Sequence, residues 1–225
     1  MKDSLAPIKR EQSLGEEIAN SISHGLGLVA ALVGTPFLIV SAVQNADAGF
    51  VVGVSIFSAT MILLYLASTL YHATPPGAIK DVFRIVDHSA VYFLIAGTYT
   101  PLMLGVLRGA WGWSILGSVW GLAALGIALK AFGRVKHPII STALYVLLGW
   151  LILVAIKPLM ALMATQGLLL LVLGGVFYTL GVLFYVLDSR VKYSHLIWHL
   201  FVLSGTVCHF FSIYWYGAYG AYGAV

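Results

Sequence analysis

LLLLVLGGVFYTLGVLFYVL, residues 168–187, is apolar all round. A strand of a membrane barrel shows about ten residues of alternating polarity, and nothing alternates here. A helix that crosses a bilayer needs about 20 predominantly apolar residues, which this stretch supplies. Seven such runs lie near residues 20–43, 49–72, 85–107, 110–130, 138–156, 162–187 and 195–216. The 225 residues are 60% hydrophobic and only 9% charged, against roughly 25% charged in soluble proteins. The sequence therefore predicts an all-α integral membrane protein, a seven-transmembrane-helix bundle with short connections. Residues 1–19 form a short N-terminal segment, 20–216 a single membrane domain and 217–225 a short tail of low complexity, GAYGAYGAV.

Orientation follows from the basic residues of alternate loops. One side holds Lys2, Lys9, Arg10, Lys80, Arg84, Lys130, Arg134, Lys136, Arg190 and Lys192, and the other only Arg108 and Lys157. Ten against two predicts a cytoplasmic N-terminus, an outer C-terminus and multi-pass residence in the cell's inner (plasma) membrane. This asymmetry accounts for most of the net charge of +4 without nucleic acid as a partner. The N-terminal stretch lacks a short apolar core followed by a small-residue cleavage site, so it does not read as a cleaved signal peptide. Cys208 is the one cysteine, which leaves no intrachain disulfide.

With that topology, His24, His72, Asp87, His88, His195 and His199 share the cytoplasmic face. Ionisable groups in spanning helices are costly and mark function by default. Imidazoles gathered beside one carboxylate point to a transition metal, and zinc suits them best. His195 and His199 stand at i and i+4, so both leave one helix face. His72 ends the second run and can supply a third nitrogen. Ser68, one turn deeper than His72, orients that ring or binds the metal's water on one reading, and bonds back to a helix carbonyl on the other. Asp87 can ligate zinc directly. If three histidines leave the fourth position open, Asp87 instead stands beside a zinc-bound water, ready to accept its proton. The competing reading pairs Asp87 with Arg84, one turn earlier. His88 points about 100° away from Asp87 and stays outside this set. His209 lies fourteen residues beyond His195, roughly 21 Å along a helix, and reads as a polar residue bonded to a neighbouring helix.

Ser13 and Glu16 have capping-box spacing. Glu17, Asn20 and His24 then form one stripe, either supporting the site from behind or solvated at the interface. Pro36 and Pro101 should kink or loosen their helices. Gly117 with Gly121, and Gly167, Gly174 and Gly181 at seven-residue spacing, permit close helix contact. These stripes serve contacts within or between chains alike, so oligomeric state stays open.

EEIANSISHGLG (16–27), STLYH (68–72) with DHSAVYFLIAGTYTP (87–101), and HLIWHLFV (195–202) together resemble the hemolysin III family, within the progestin and adipoQ receptor group and more distantly related to alkaline ceramidases. The resemblance covers nearly the whole chain. It implies a seven-helix bundle with a cytoplasmic N-terminus. It also implies zinc held by His72, His195 and His199, with Ser68 and Asp87 at the family's serine and aspartate positions.

Three functions follow as expectations. The first is a zinc-dependent hydrolase of an amide-bearing membrane lipid, ceramide-like in type, acting in membrane homeostasis with Asp87 and Ser68 as catalytic residues. The second is a non-catalytic sensor or regulator of membrane state with structural zinc. The third is a pore or hemolysin, which the apolar outer halves of the helices support poorly, because a lumen needs polar rings along its length.

Overall fold

The computed structural model describes residues 10–132 and 138–218. Lys2, Lys9, Arg134 and Lys136 of the charge asymmetry, and most of the tail, lie outside the described residues. The chain is helical: α1 (Leu14–Asn45), α2 (Ala48–Ala73), α3 (Ala78–Leu102), α4 (Gly109–Ala131), α5 (Pro138–Gly149), α6 (Ile156–Leu162), α7 (Thr165–Leu187) and α8 (Ser194–Tyr216). A π turn, Met103–Leu107, extends α3, and a 3₁₀ stretch, Trp150–Ala155, joins α5 to α6. Among the described residues, seven helical spans are long and apolar enough to cross a membrane.

Local chemistry sets the ends. The expected capping box forms at Ser13, whose hydroxyl accepts from Glu16 N while the Glu16 carboxylate accepts from Ser13 N. Asp47 caps α2 by accepting from Phe50 N at 3.0 Å. The α1 and α3 helices start earlier than their apolar runs, at Leu14 and Ala78 rather than near 20 and 85. Hydropathy marks the part of a helix suited to hydrocarbon, whereas backbone hydrogen bonding continues beyond it. Lys80 ties α3 to the end of α2, donating to the carbonyls of Tyr71 and Thr74 at 3.1 and 3.0 Å.

The fifth span departs most from expectation. The helix does not end near 156 but runs on to Leu162, with its ladder broken in the middle. Tyr99 of α3 supplies the reason: its hydroxyl donates to the carbonyls of Leu148 and Gly149 and accepts from Ile152 N at 2.8 Å. A side chain inserted into the ladder satisfies groups that hydrocarbon could not.

Neighbouring spans pack in sequence, and α1 against α8 closes the circuit. The α3 span is the most buried. Val54, Phe57, Tyr65, Ala96, Val119 and Ile213 fill the interior, while Leu26, Val33, Phe37 and Val40 of α1 are exposed, as the outer face of a membrane bundle requires.

The two glycine stripes have different fates. Gly167, Gly174 and Gly181 lie against Tyr216, His209 and Phe201 of α8. Gly117 and Gly121 face away from the bundle, with nothing within 4 Å of an added Cβ, so the close contact expected there is not made within the chain. At the tight α2–α3 crossing, a Cβ on Gly53 would lie 2.6 Å from Pro101 Cα. Gly53→Ala should therefore lower stability by about 1–3 kcal/mol, the usual cost of overpacking. That outweighs a helix-propensity gain of up to about 1 kcal/mol. Gly117→Ala keeps only the gain. Thermal unfolding in detergent checks both, and equal midpoints would refute the difference.

Candidate metal centre

His72, His195 and His199 converge from α2 and α8. Each is buried, and their candidate ligand atoms all lie within 4.8 Å of one another. His72 lies 5.0 Å from each of the other two rings, which are 4.7 Å apart, between centroids. Nitrogens around a tetrahedral zinc are about 3.4 Å apart, given Zn–N bonds of about 2.0–2.1 Å. The candidate ligand atoms, within 4.8 Å of one another, would draw together around an ion.

The hydrogen bonds behind the rings decide which nitrogens face inward. His72 Nδ1 lies 2.7 Å from the Glu17 carboxylate, and His199 Nδ1 lies 3.3 Å from the carbonyl of Asn20. Both partners only accept, so Nδ1 carries the proton and Nε2 keeps its lone pair. His72 Nε2 is buried without a hydrogen-bond partner. That is the state expected of a nitrogen reserved for a cation. Ser23 also meets His199 Nδ1 at 3.0 Å. The donor set, three imidazoles of which His72 and His199 have fixed tautomers, fits zinc or a similar transition metal.

The α1 stripe therefore stands directly behind His72 and His199. Glu17 joins His72 to Lys80, 2.9 Å away. Asn20 serves through its main-chain carbonyl, while its side-chain amide donates to Gln12 at 2.8 Å. His24 stacks on His199 with centroids 3.5 Å apart and planes 7° apart. Neither of its nitrogens has a partner, and among the described residues it does not join the group that could hold an ion.

Asp87 and Ser68 are buried beside this cluster. Both line the cavity that His195 and His199 also line. The alternative roles of both residues are not adopted: Arg84 pairs with Asp81 at 2.9 Å, and Ser68 Oγ makes no hydrogen bond to a helix carbonyl. His88 lines the same cavity but, among the described residues, is not part of the group that could hold an ion, and its carbonyl accepts from Tyr145. His209 Nε2 donates to Leu171 O at 3.1 Å on α7, the interhelical bond expected of it.

Sequence reading missed the residues that fix the start of α8. Tyr193 takes a left-handed φ of 57°, uncommon for a bulky residue. Its N–H donates to Glu16 at 2.8 Å, and Ser194 donates to Phe184 O at 2.6 Å. Arg10 grips Glu16 through two 2.7 Å bonds. Asp188, in the α7–α8 turn, lies 3.5 Å from His195 Nδ1. Burial raises its carboxyl, but His195, Gln12 and Arg10 outweigh burial and hold it below the usual carboxylate range. Its one sequence signal is its position, as the only acidic residue between the sixth and seventh runs.

A cavity of ≈ 420 Å³ begins at His195, His199 and Asp87 and reaches His209, roughly 20 Å along α8. Its middle is walled by apolar side chains such as Leu94, Ile95, Leu168 and Leu171. Leu153, Met160, Leu169 and Val172 line it and are also exposed on the outside of the bundle. The cavity thus opens sideways between the fifth span and α7.

Residues 12–210 match the family described as Haemolysin-III related. The chain belongs to that family. Its relatives include the "Hemolysin-3 homolog" of Bacillus subtilis (strain 168), 43% identical over 91% of this chain and 95% of the relative. "Hemolysin-3" of Bacillus cereus is 42% identical over 91% and 93%. The human "Monocyte to macrophage differentiation factor" is 27% identical over 89% and 84%. The matched residues of this family member include every histidine and carboxylate of the cluster described above.

Proposed function

We propose that the protein is a zinc-dependent hydrolase of an amide-bearing membrane lipid, acting in membrane homeostasis. The observation that carries this reading is the join between a three-histidine cluster with Asp87 beside it and an apolar cavity open to the side of a membrane bundle. His72, His195 and His199 would hold the ion. When bound, zinc lowers the pKa of its water to about 7 and polarises a carbonyl. Asp87 accepts the proton of the attacking water and later returns it to the leaving amine. Ser68 Oγ, buried without a hydrogen-bond partner, would hold the attacking water. Glu17 and the Asn20 carbonyl keep the ligand tautomers fixed. The cavity walls seat a hydrocarbon chain and exclude bulk water from the amide.

The test is fatty-acid release from a panel of ceramides and other amide lipids by purified, zinc-loaded protein. Release should depend on both zinc and Asp87. A folded, zinc-loaded protein that releases nothing across the panel would replace this reading with that of a non-catalytic lipid sensor. Ion flux through reconstituted vesicles, unaffected by His72→Ala, would favour the pore instead.

The charge asymmetry supports a cytoplasmic N-terminus in the plasma membrane, which puts the metal centre at the cytoplasmic face. A C-terminal reporter active only outside the cytoplasm should therefore be active. Activity from an N-terminal fusion alone would reverse the orientation.

A further inference from the structure

The three candidate ligands are not supported alike. Nδ1 of His72 and Nδ1 of His199 already have acceptors, whereas His195 Nδ1 is buried with no hydrogen bond. Facing it is Asp188, whose Oδ2 is 3.5 Å away and whose Oδ1 is also buried without a hydrogen-bond partner. Leaving His195 Nδ1 unsatisfied is costly, and a bond to the carboxylate that faces it removes that cost. A small turn of the His195 ring brings Nδ1–H onto the carboxylate. The same turn leaves Nε2 as its metal-facing nitrogen.

Asp188 is itself held from the start of the chain. Gln12 Nε2 donates to its Oδ2 at 2.9 Å. Arg10 donates to the carbonyls of Asp188 and Val191 at 3.1 and 3.2 Å, and its guanidinium stands 3.8 Å from Asp188 Oδ1. Glu16 fixes Arg10 in turn and also takes the Tyr193 N–H. Residues 10–16 and the turn 188–193 are thereby latched together, directly over His195. The neighbouring ligand shows the same plan: Glu17 backs His72, and Lys80 holds Glu17.

We propose that Asp188 is the positioning residue for His195, completing a carboxylate–histidine pair at the metal, and that the segment Arg10–Gln12 holds Asp188 in place. This rests on the metal reading of the three histidines. The segment before α1 then belongs to the metal centre, although it contributes no ligand.

Zinc affinity of the purified, folded full-length chain, measured by competition with a chromogenic chelator, tests the proposal. Visible absorption after cobalt substitution gives a second readout, because it reports the ligand field rather than folding. Outer partners of this type typically change metal affinity about 10- to 100-fold. Asp188→Asn should weaken zinc by that factor and shift the cobalt bands, and Asp188→Glu should restore part of the affinity. Asp81→Asn, which loses only an exposed pair with Arg84, should leave both readouts unchanged. Gln12→Ala, which keeps Asp188 but removes the hydrogen bond to its Oδ2, should weaken zinc by a smaller factor and decides the matter if the Asp188 variants fail to fold. Wild-type affinity with unshifted cobalt bands in Asp188→Asn, or in Gln12→Ala when it alone folds, would overturn the proposal while leaving the three-histidine site intact. A wild-type chain that binds no zinc would instead overturn the metal reading beneath it.

Discussion

Asp87→Asn should lower amide-lipid hydrolysis about 10²- to 10⁴-fold, the range typical of losing a general base, while zinc content stays at the wild-type level. Asparagine matches aspartate in shape, so the packing of α3 against α2 is kept, but it cannot accept a proton from water. The environment singles out this carboxylate. Glu17 and Asp188 are tied to Lys80 and Arg10, and Asp81 to Arg84, whereas Asp87 is buried next to Ser68 at the histidine end of the cavity. Fatty-acid release per zinc-loaded molecule is the measurement. A variant that keeps more than about a tenth of wild-type turnover would remove Asp87 from the catalytic role.

The second large effect concerns the ion itself. His72→Ala, His195→Ala and His199→Ala should each weaken zinc by on the order of a hundredfold. Structural zinc sites are worth about 10–16 kcal/mol over four ligands, so one ligand carries about 3 kcal/mol, or roughly two powers of ten in affinity. His88→Ala and His209→Ala serve as controls. Among the described residues His88 lies outside the group of ligand atoms, and His209 bonds Leu171, so neither should alter metal content. Zinc measured after dialysis against a chelator separates the two groups. Stoichiometric zinc in all three ligand variants would place the ion elsewhere or nowhere.

The parts of this molecule legible in its sequence are those set by composition and short spacing. Seven apolar runs announce seven spans because hydrocarbon imposes its thickness on the chain, and HLIWH announces one helix face because i and i+4 share it. Long-range contacts are not written this way. The break in the fifth span is made by Tyr99, 49 and 50 residues from the carbonyls it takes. Asp188 and Gln12 are 176 residues apart, and no local pattern joins them. The stripes at Gly117 and Gly167 read alike, yet one faces outward and the other meets α8, because burial depends on the order of helices around the bundle. Asn20 was legible as part of a stripe, but its contribution through the main-chain carbonyl was not, since any residue there offers the same oxygen.

The circuit of helices closes between the first span and the last, and the three histidines sit at that seam. The α2 helix, carrying His72, and α8, carrying the other two, have little direct backbone contact of their own and meet chiefly across α1. An ion held by these residues would act as a clasp, fastening chain positions 72 and 195 that no loop connects closely. Closure of the bundle would then depend on free metal, gaining about 2.7 kcal/mol at a hundred times the dissociation constant. Metal supply would set how firmly the protein is shut as well as whether it reacts.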